Sequence, residues 1–158
     1  MTRIAFIGLG NMGGGMAARQ VVGGREVLAF DLSEAAVKKV VAAVAHPAGS
    51  VAKAVENADA VITMLPAGPH VRKVYDEHIL PHAPKSALLI DCSTIDVDSA
   101  RAVATQAKAA GFRFADAPVS GGTAAADAGT LAFMVGCDEA DFADVEETLK
   151  PMSRVTIR

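Results

Sequence analysis

Three glycines near the start of the chain have a spacing that can bind a phosphate group. Gly8, Gly10 and Gly13 form a G-x-G-x-x-G pattern between an apolar segment and a predicted helix. In such a turn the first glycine permits a tight bend, the second lets the backbone approach a pyrophosphate, and the third allows helix and strand to pack closely. The helix start adds N–H groups and the positive end of a dipole. The alternative is a turn that only connects two elements. The pattern predicts that a dinucleotide is bound by Gly8, Leu9, Gly10, Asn11, Met12 and Gly13.

Asp31 ends the next predicted strand and favours NAD over NADP. Its carboxylate can accept hydrogen bonds from the hydroxyls of the adenosine ribose. A 2′-phosphate roughly 4 Å away would be repelled by several kcal/mol at an effective dielectric constant of about 20. The residues that follow, Leu32, Ser33 and Glu34, include no arginine that could bind such a phosphate. Asp31 could also be the N-cap of the next helix, and the two roles can coexist.

Three further loops follow predicted strands, over residues 65–70, 91–96 and 117–122. Open α/β sheets bind ligands at the carboxyl ends of their strands, so we expect these loops to lie along one edge, beside the glycine turn. Any one of them alone is more often ordinary turn chemistry. Their coincidence at one edge favours a binding site.

The groups in these loops suit a nicotinamide and a small acid. Apolar Leu65 and Pro66 can pack against a nicotinamide or its ribose, and Ser93 and Thr94 offer hydroxyls. The loop 120–122 offers the hydroxyl of Ser120 and two unobstructed N–H groups, which can bind a carboxylate.

The elements that position these residues alternate between apolar runs and helical segments. Strands are predicted over 3–8, 26–31, 59–65, 86–93, 112–117, 130–136 and 153–158, and helices over 12–23, 33–42, 50–57, 69–77, 96–110 and 139–150. The strands are nearly all apolar, which is typical of parallel strands covered on both faces. The fold class predicted is α/β, a Rossmann-type, doubly wound, mainly parallel sheet with helices on both faces. The last two strands flank the small-residue loop and could run against the others.

The composition of the chain limits the classes of protein to which it can belong. The 158 residues suffice for one domain, and a hydrophobic fraction of 51% with 21% charged residues is typical of a globular protein. A net charge of −3 without a basic stripe argues against nucleic acid as a partner. No apolar stretch is long enough to cross a membrane, and the N-terminus does not resemble a signal peptide. Two distant cysteines suit a reducing compartment, so we expect a cytoplasmic protein. The histidines 70, 78 and 82 lack further ligands nearby, so no metal is expected.

Five motifs together resemble those of the β-hydroxyacid dehydrogenases, most of all the 3-hydroxyisobutyrate dehydrogenase branch. They are FIGLGNMGGGMA, FDLS, MLPAG, DCSTID and APVSGGTAAADAGTLAFMVG, and the resemblance covers essentially the whole chain. It implies NAD-dependent oxidation of 3-hydroxyisobutyrate to methylmalonate semialdehyde, a step of valine catabolism. It also implies a Rossmann-type first domain and an all-helical second domain.

The resemblance assigns a role to each site residue. Residues 8–13 would hold the pyrophosphate and Asp31 the adenosine ribose. The nicotinamide side would be lined by Leu65, Pro66, His70 and Thr94. The substrate carboxylate would be held by Ser120, Gly121 and Gly122.

The resemblance also implies what this chain lacks. The catalytic lysine and a helping asparagine lie in the helical domain, beyond residue 158, so residues 1–158 are expected to form the dinucleotide-binding domain alone, without useful turnover. The full-length protein is expected to be a homo-oligomer. The alternatives are a related tartronate, glyoxylate or succinic semialdehyde reductase, or a non-catalytic NAD-binding module.

Two local expectations concern packing. Gln20 falls where the first helix should bury an apolar residue, and an unpaired buried amide would cost about 1–3 kcal/mol. Without the second domain, residues 123–128 could be mobile.

Overall fold

The chain folds around a six-stranded parallel sheet. A computed structural model describes residues 2–42 and 45–158. The sheet has the order β3-β2-β1-β4-β5-β6, and every neighbouring pair is parallel. Its strands are β1 (Arg3–Ile7), β2 (Glu26–Phe30), β3 (His46–Pro47), β4 (Ala60–Thr63), β5 (Leu88–Asp91) and β6 (Arg113–Asp116). The predicted Rossmann-type, doubly wound architecture is therefore confirmed.

Helices follow most of the strands. They are α1 (Gly13–Val22), α2 (Glu34–Val41), α3 (Val51–Val55), α4 (Gly68–Val74), α5 (Val97–Ala109), α6 (Gly122–Ala128) and α7 (Phe142–Leu149). A π-helical turn, Tyr75–Ile79, continues α4. Side chains cap three of these helices, because Ser33, Ser50 and Asp96 accept hydrogen bonds from backbone N–H groups three residues later. None of the described helices combines the length and apolar character that crossing a membrane requires.

The strands are apolar throughout because both faces of the sheet are covered. In β1, Ile4 and Phe6 belong to one hydrophobic cluster, whereas Ala5 and Ile7 belong to the other. The first cluster includes side chains of α1, α2, α6 and α7, and the second includes side chains of α3, α4 and α5. Alternate residues of each strand therefore point to opposite helical layers, as the absence of polar alternation predicted.

The last strands form a second, smaller sheet. It contains β7 (Val119–Ser120), β8 (Leu131–Met134) and β9 (Ser153–Ile157), with β8 antiparallel to β7 but parallel to β9. An antiparallel bridge between Asp116 and Gly136 links the segment just after β8 to the end of β6. The expectation that the last two strands run against the others is thus only partly right, since they lie in a separate sheet and are parallel to each other.

Residues 123–128, for which mobility is expected without a second domain, form a regular helix. They lie in α6, where Ala126 is fully buried against the cluster that contains α1. The helix ends at Gly129, whose left-handed φ of 72° suits glycine. Small residues permit the approach of the two helices, because a Cβ on Gly15 of α1 would collide with the Asp127 carboxylate of α6.

The expectation for Gln20 is also corrected, because its amide is buried but fully paired. The Gln20 Nε2 donates to the carbonyl of Thr148 at 2.8 Å, and its Oε1 accepts from Arg25 at 2.8 Å. Arg25 in turn donates to the carbonyl of Glu147 at 2.7 Å. The pair satisfies carbonyls in the last turn of α7, which have no partner within that helix. A polar residue on the inner face of α1 therefore joins α1 to α7.

We predict that Gln20→Leu lowers the free energy of unfolding by about 1–3 kcal/mol, because the substitution removes one acceptor of Arg25 and the shorter of the two hydrogen bonds to the Thr148 carbonyl, which then keeps only Arg25 at 3.2 Å. Urea denaturation measures this. Gln106→Leu is the matched control, since the Gln106 amide bonds Asp76 on an exposed surface and should change stability by less than about 0.5 kcal/mol. Equal or greater stability of Gln20→Leu would contradict the proposed pairing.

Candidate functional site

A cleft opens at the carboxyl ends of β1, β2 and β4. Its volume is about 820 Å³. It lies where the chain order reverses between β1 and β4, which is the position at which doubly wound sheets bind ligands. We call it the strand-end cleft. Its walls consist of residues 7–8, 10–13, 30–32, 49–52, 64–66, 70, 73–74 and 78.

The glycine turn between β1 and α1 forms one wall, and two of its three glycines lie too close to other backbone atoms to carry a side chain. Gly8 has a φ of 101°, and a Cβ there would collide with the carbonyl oxygen of Met64. A Cβ on Gly13 would collide with the carbonyl oxygen of Gly8. Gly10 is different, because a Cβ there would meet no atom within 4 Å and would project into the cleft. The turn therefore leaves space beside the start of α1, whose first turn contains no acidic residue.

Asp31 connects the glycine turn to β2. Its Oδ2 accepts a hydrogen bond from the N–H of Leu9 at 2.7 Å, and its Oδ1 accepts one from the N–H of Ser33 at 2.8 Å. A carboxylate has about four lone-pair sites, so two remain for hydroxyls of a ribose. The N-cap of α2 is Ser33 rather than Asp31. Leu9 does not line the cleft, since its side chain is buried and its N–H is bonded to Asp31.

Several cleft residues were missed by the sequence analysis. Leu32, directly after Asp31, is 92% exposed and could cover a flat ring. Other missed walls come from the start of α3 and from the end of α4 with its π-helical turn, where Lys73, Val74 and His78 face the cleft. Recognition of the two-residue strand β3 would have revealed residues 49–52 by the same strand-end rule, but its sequence has no strand pattern.

The nicotinamide side predicted from the sequence is formed in part. Leu65, Pro66 and His70 line the cleft after β4. Ser93 is buried, and its hydroxyl oxygen accepts a hydrogen bond from the N–H of Leu65 at 2.8 Å, so it anchors the wall instead of facing a ligand. Thr94 is exposed and lies outside the cleft walls.

The predicted carboxylate loop lies apart from the cleft walls. Ser120, Gly121 and Gly122 are exposed and lie where β7 meets α6. Gly121 and Gly122 have φ values of 137° and 75°, which only glycine adopts without strain. A Cβ on Gly122 would meet no atom within 4 Å, so its backbone is open to solvent.

Two acids lie side by side at the ends of β5 and β6. Asp91 and Asp116 are paired in register. Burial raises the pKa of Asp91, and hydrogen bonds from Ser93 and Thr63 offset part of that effect. Burial, and then the nearby charge of Asp91, raise the pKa of the half-buried Asp116 from 3.8 to about 6. The sequence analysis did not single out this pair, because the strand pattern does not show how deeply strand-end acids are buried.

Residues 2–42 and 45–158 contain no group of three His, Cys, Asp or Glu side chains arranged to hold a metal ion. The polar groups that line the strand-end cleft thus include backbone groups, the Asp31 carboxylate, the imidazoles of His70 and His78, and the Lys73 ammonium.

Comparison with known proteins gives one family and several close relatives. The family described as the NAD binding domain of 6-phosphogluconate dehydrogenase matches residues 3–158. A 3-hydroxyisobutyrate dehydrogenase of Pseudomonas aeruginosa is 48% identical over 156 residues, which are 98% of this chain and 52% of that protein. An NAD-dependent L-serine dehydrogenase of the same bacterium is 47% identical over 96% of this chain and 50% of its own length.

Solved structures agree with these matches. The Mycobacterium tuberculosis 3-hydroxyisobutyrate dehydrogenase with L-serine superposes with a TM-score of 0.97 at 45% identity, covering 99% of this chain and 54% of that one. The chain therefore spans about half the length of the relatives it matches.

We predict that Asp116→Asn stabilises the fold near pH 7.5 but not near pH 4.5. The folded-state pKa of Asp116, about 6, lies above its ordinary value of 3.8. The protonated form thus favours folding, and this stability is lost as the pH rises through about 6. The gain at the higher pH should be roughly 1 kcal/mol, a figure reduced because the side chain is partly exposed.

Thermal or urea unfolding across this pH range measures the effect. Glu146→Gln is the control, because it removes the same charge from an exposed site on α7. Parallel stability curves for the wild-type chain and Asp116→Asn would contradict the assignment.

Proposed function

The chain belongs to the family of the NAD binding domain of 6-phosphogluconate dehydrogenase, and from this membership we propose that it forms the cofactor-binding domain of an NAD-dependent 3-hydroxyisobutyrate dehydrogenase. The observation that carries the proposal is the strand-end cleft, in which the open Gly10 and the fixed carboxylate of Asp31 lie at adjacent strand ends. The resemblance to 3-hydroxyisobutyrate dehydrogenases points to a small 3-hydroxy acid as the substrate.

The names of the relatives support a substrate class with a common scaffold. 3-Hydroxyisobutyrate and L-serine are both 3-hydroxypropanoates, and they differ in a methyl or an ammonium group at C2. Two relatives of nearly equal identity carry these two names. We propose a 3-hydroxypropanoate with a small C2 substituent, 3-hydroxyisobutyrate first and L-serine second. Comparison of turnover of the two acids by the full-length enzyme tests this order.

In this proposal, the residues of this chain bind the cofactor and the substrate and orient them toward each other. We propose that Gly8 and residues 10–13 hold the pyrophosphate, that Asp31 holds the adenosine ribose, and that Leu65, Pro66 and His70 lie beside the nicotinamide. Leu9 and Thr94 lie outside the cleft walls and are left out of this proposal. Ser120, Gly121 and Gly122 are proposed to hold the substrate carboxylate through a hydroxyl and two N–H groups. NAD bound there would supply the acceptor for the hydride of the carbinol carbon, and the hydroxyl proton would pass to a base outside residues 1–158. Orientation of the two reactants is the contribution that this domain makes to the rate.

Three wider proposals rest on the resemblance alone. The complete enzyme is proposed to be a cytoplasmic homo-oligomer that acts in valine catabolism. Light scattering of the full-length protein tests the assembly, and growth of a deletion strain on valine tests the pathway.

We predict that the 158-residue chain binds NAD but does not oxidise 3-hydroxyisobutyrate at a useful rate. None of its lysines matches the motif that carries the family's catalytic lysine, and loss of a general acid–base group typically costs about 10²–10⁴-fold in rate. NADH formation followed by absorbance measures this, with the full-length Pseudomonas aeruginosa relative as the positive control. Robust oxidation by the isolated chain would refute this prediction.

We predict that Asp31→Asn weakens NAD binding by about 10-fold or more and brings the affinities for NAD and NADP close to each other. The substitution keeps an oxygen that can accept from the N–H of Leu9 but removes the charge that binds the ribose hydroxyls and repels a 2′-phosphate. Glu34→Gln is the matched control, because this exposed acid on α2 lies outside the cleft walls. Unchanged affinity and preference in Asp31→Asn would count against the proposed role.

A further inference from the structure

Four buried polar side chains meet beneath the β4 wall of the strand-end cleft. Thr63, Tyr75, Asp91 and Ser93 are each at most 1% exposed. They come from the ends of β4 and β5 and from the π-helical turn. Burial of so many polar groups costs free energy unless each is hydrogen-bonded, and no buried side-chain nitrogen or oxygen among the described residues lacks a partner.

The hydrogen bonds among these four side chains all lead to Asp91. The Thr63 hydroxyl donates to Asp91 Oδ1 at 2.8 Å. A hydroxyl has a single hydrogen, so Thr63 accepts from the Tyr75 hydroxyl, 2.9 Å away. The N–H of Ser93 donates to the same Oδ1 at 3.1 Å. Asp91 is thus the acceptor on which the chain of donors ends.

One bond links this cluster to the cleft. The Ser93 hydroxyl oxygen accepts from the N–H of Leu65 at 2.8 Å, and Leu65 and Pro66 both line the cleft. Pro66 has no N–H with which to anchor itself. The position of this wall therefore depends on the Leu65 N–H, and the position of Ser93 depends on Asp91.

We infer that Asp91 and Ser93 are positioning residues that hold Leu65 and Pro66 in place at the nicotinamide end of the cleft. This inference rests on the proposed function, since it requires that NAD lies in the cleft with its nicotinamide beside Leu65 and Pro66. Neither residue is required to touch the cofactor. The competing explanation is that Asp91 and Ser93 only stabilise the fold. A positioning role weakens binding of the nicotinamide part of NAD, whereas a purely structural role weakens binding of every part of the cofactor equally.

The test compares NAD with ADP-ribose, which has the same adenosine and pyrophosphate but no nicotinamide. Isothermal titration of the 158-residue chain gives both dissociation constants, and thermal unfolding monitors the fold. Ser93→Ala removes the hydroxyl that accepts from the Leu65 N–H. We therefore expect the affinity for NAD to fall about 5- to 10-fold and the affinity for ADP-ribose to fall less than about 2-fold. Asp91→Ala should show the same selective loss.

Two further variants separate positioning from stability. Asp91→Asn keeps the Oδ1 acceptor and should keep the wild-type ratio of the two affinities, even if it lowers the melting temperature. Ser99→Ala is the matched control, because Ser99 is also buried and its hydroxyl also accepts a hydrogen bond, from Arg72 at 2.9 Å, but outside the cleft walls. It should leave the ratio unchanged.

The outcomes distinguish the inference from the function on which it rests. Equal losses for NAD and ADP-ribose in Ser93→Ala, or no loss of NAD affinity, would overturn the positioning role. If Asp91→Ala does not fold, the comparison of Ser93→Ala with Ser99→Ala decides between the two explanations. A wild-type chain that binds neither ligand would overturn the proposed function itself, and the inference with it.

Discussion

A backbone contact too close for any side chain sets the geometry of the whole site. Gly8 lies against the carbonyl of Met64, and Gly13 lies against the carbonyl of Gly8. These contacts fix the start of α1 relative to both β1 and the end of β4. The N–H of Leu9 then reaches Asp31 at the end of β2. The glycine turn, Asp31 and the β4 wall are therefore parts of one connected arrangement, not three separate elements.

Helix α1 also packs against the elements around the second sheet. On one side Gly15 allows α6 to approach, and on its inner face Gln20 binds the last turn of α7. Arg19 donates to the carbonyl of Pro151 and lies against Gly129, at the end of α6. The helix whose first turn faces the cleft thus also supports the helix that follows the proposed carboxylate loop. This packing gives a physical route by which the cofactor site and the loop 120–122 keep a fixed relation.

Much of the fold could be predicted from the sequence because local patterns determine it. The apolar runs of the strands and the spacing of the glycines each depend on a few neighbouring residues. The rest depends on tertiary contacts. Residues 123–128 have few large side chains, yet alanine is the best helix former, and α1 offers a surface of matching small residues. Gln20 looked unpaired because its partners, Arg25 and the Thr148 carbonyl, come from other elements. The hydroxyl of Ser93 looked available because its burial cannot be read from a loop sequence.

The three strand-end aspartates show why residue type alone does not define a site. Asp31 accepts two backbone N–H bonds and lies at the cleft wall, so its remaining lone pairs face a ligand. Asp91 is buried and accepts hydrogen bonds from the Thr63 hydroxyl and the Ser93 N–H, so it is enclosed by protein groups. Asp116 is half-buried beside Asp91, and burial together with the Asp91 charge raises its pKa to about 6. The strand-end rule places all three at one edge of the sheet, but only their different depths and partners distinguish an acid that lies at the cleft wall from one that is enclosed by hydrogen bonds.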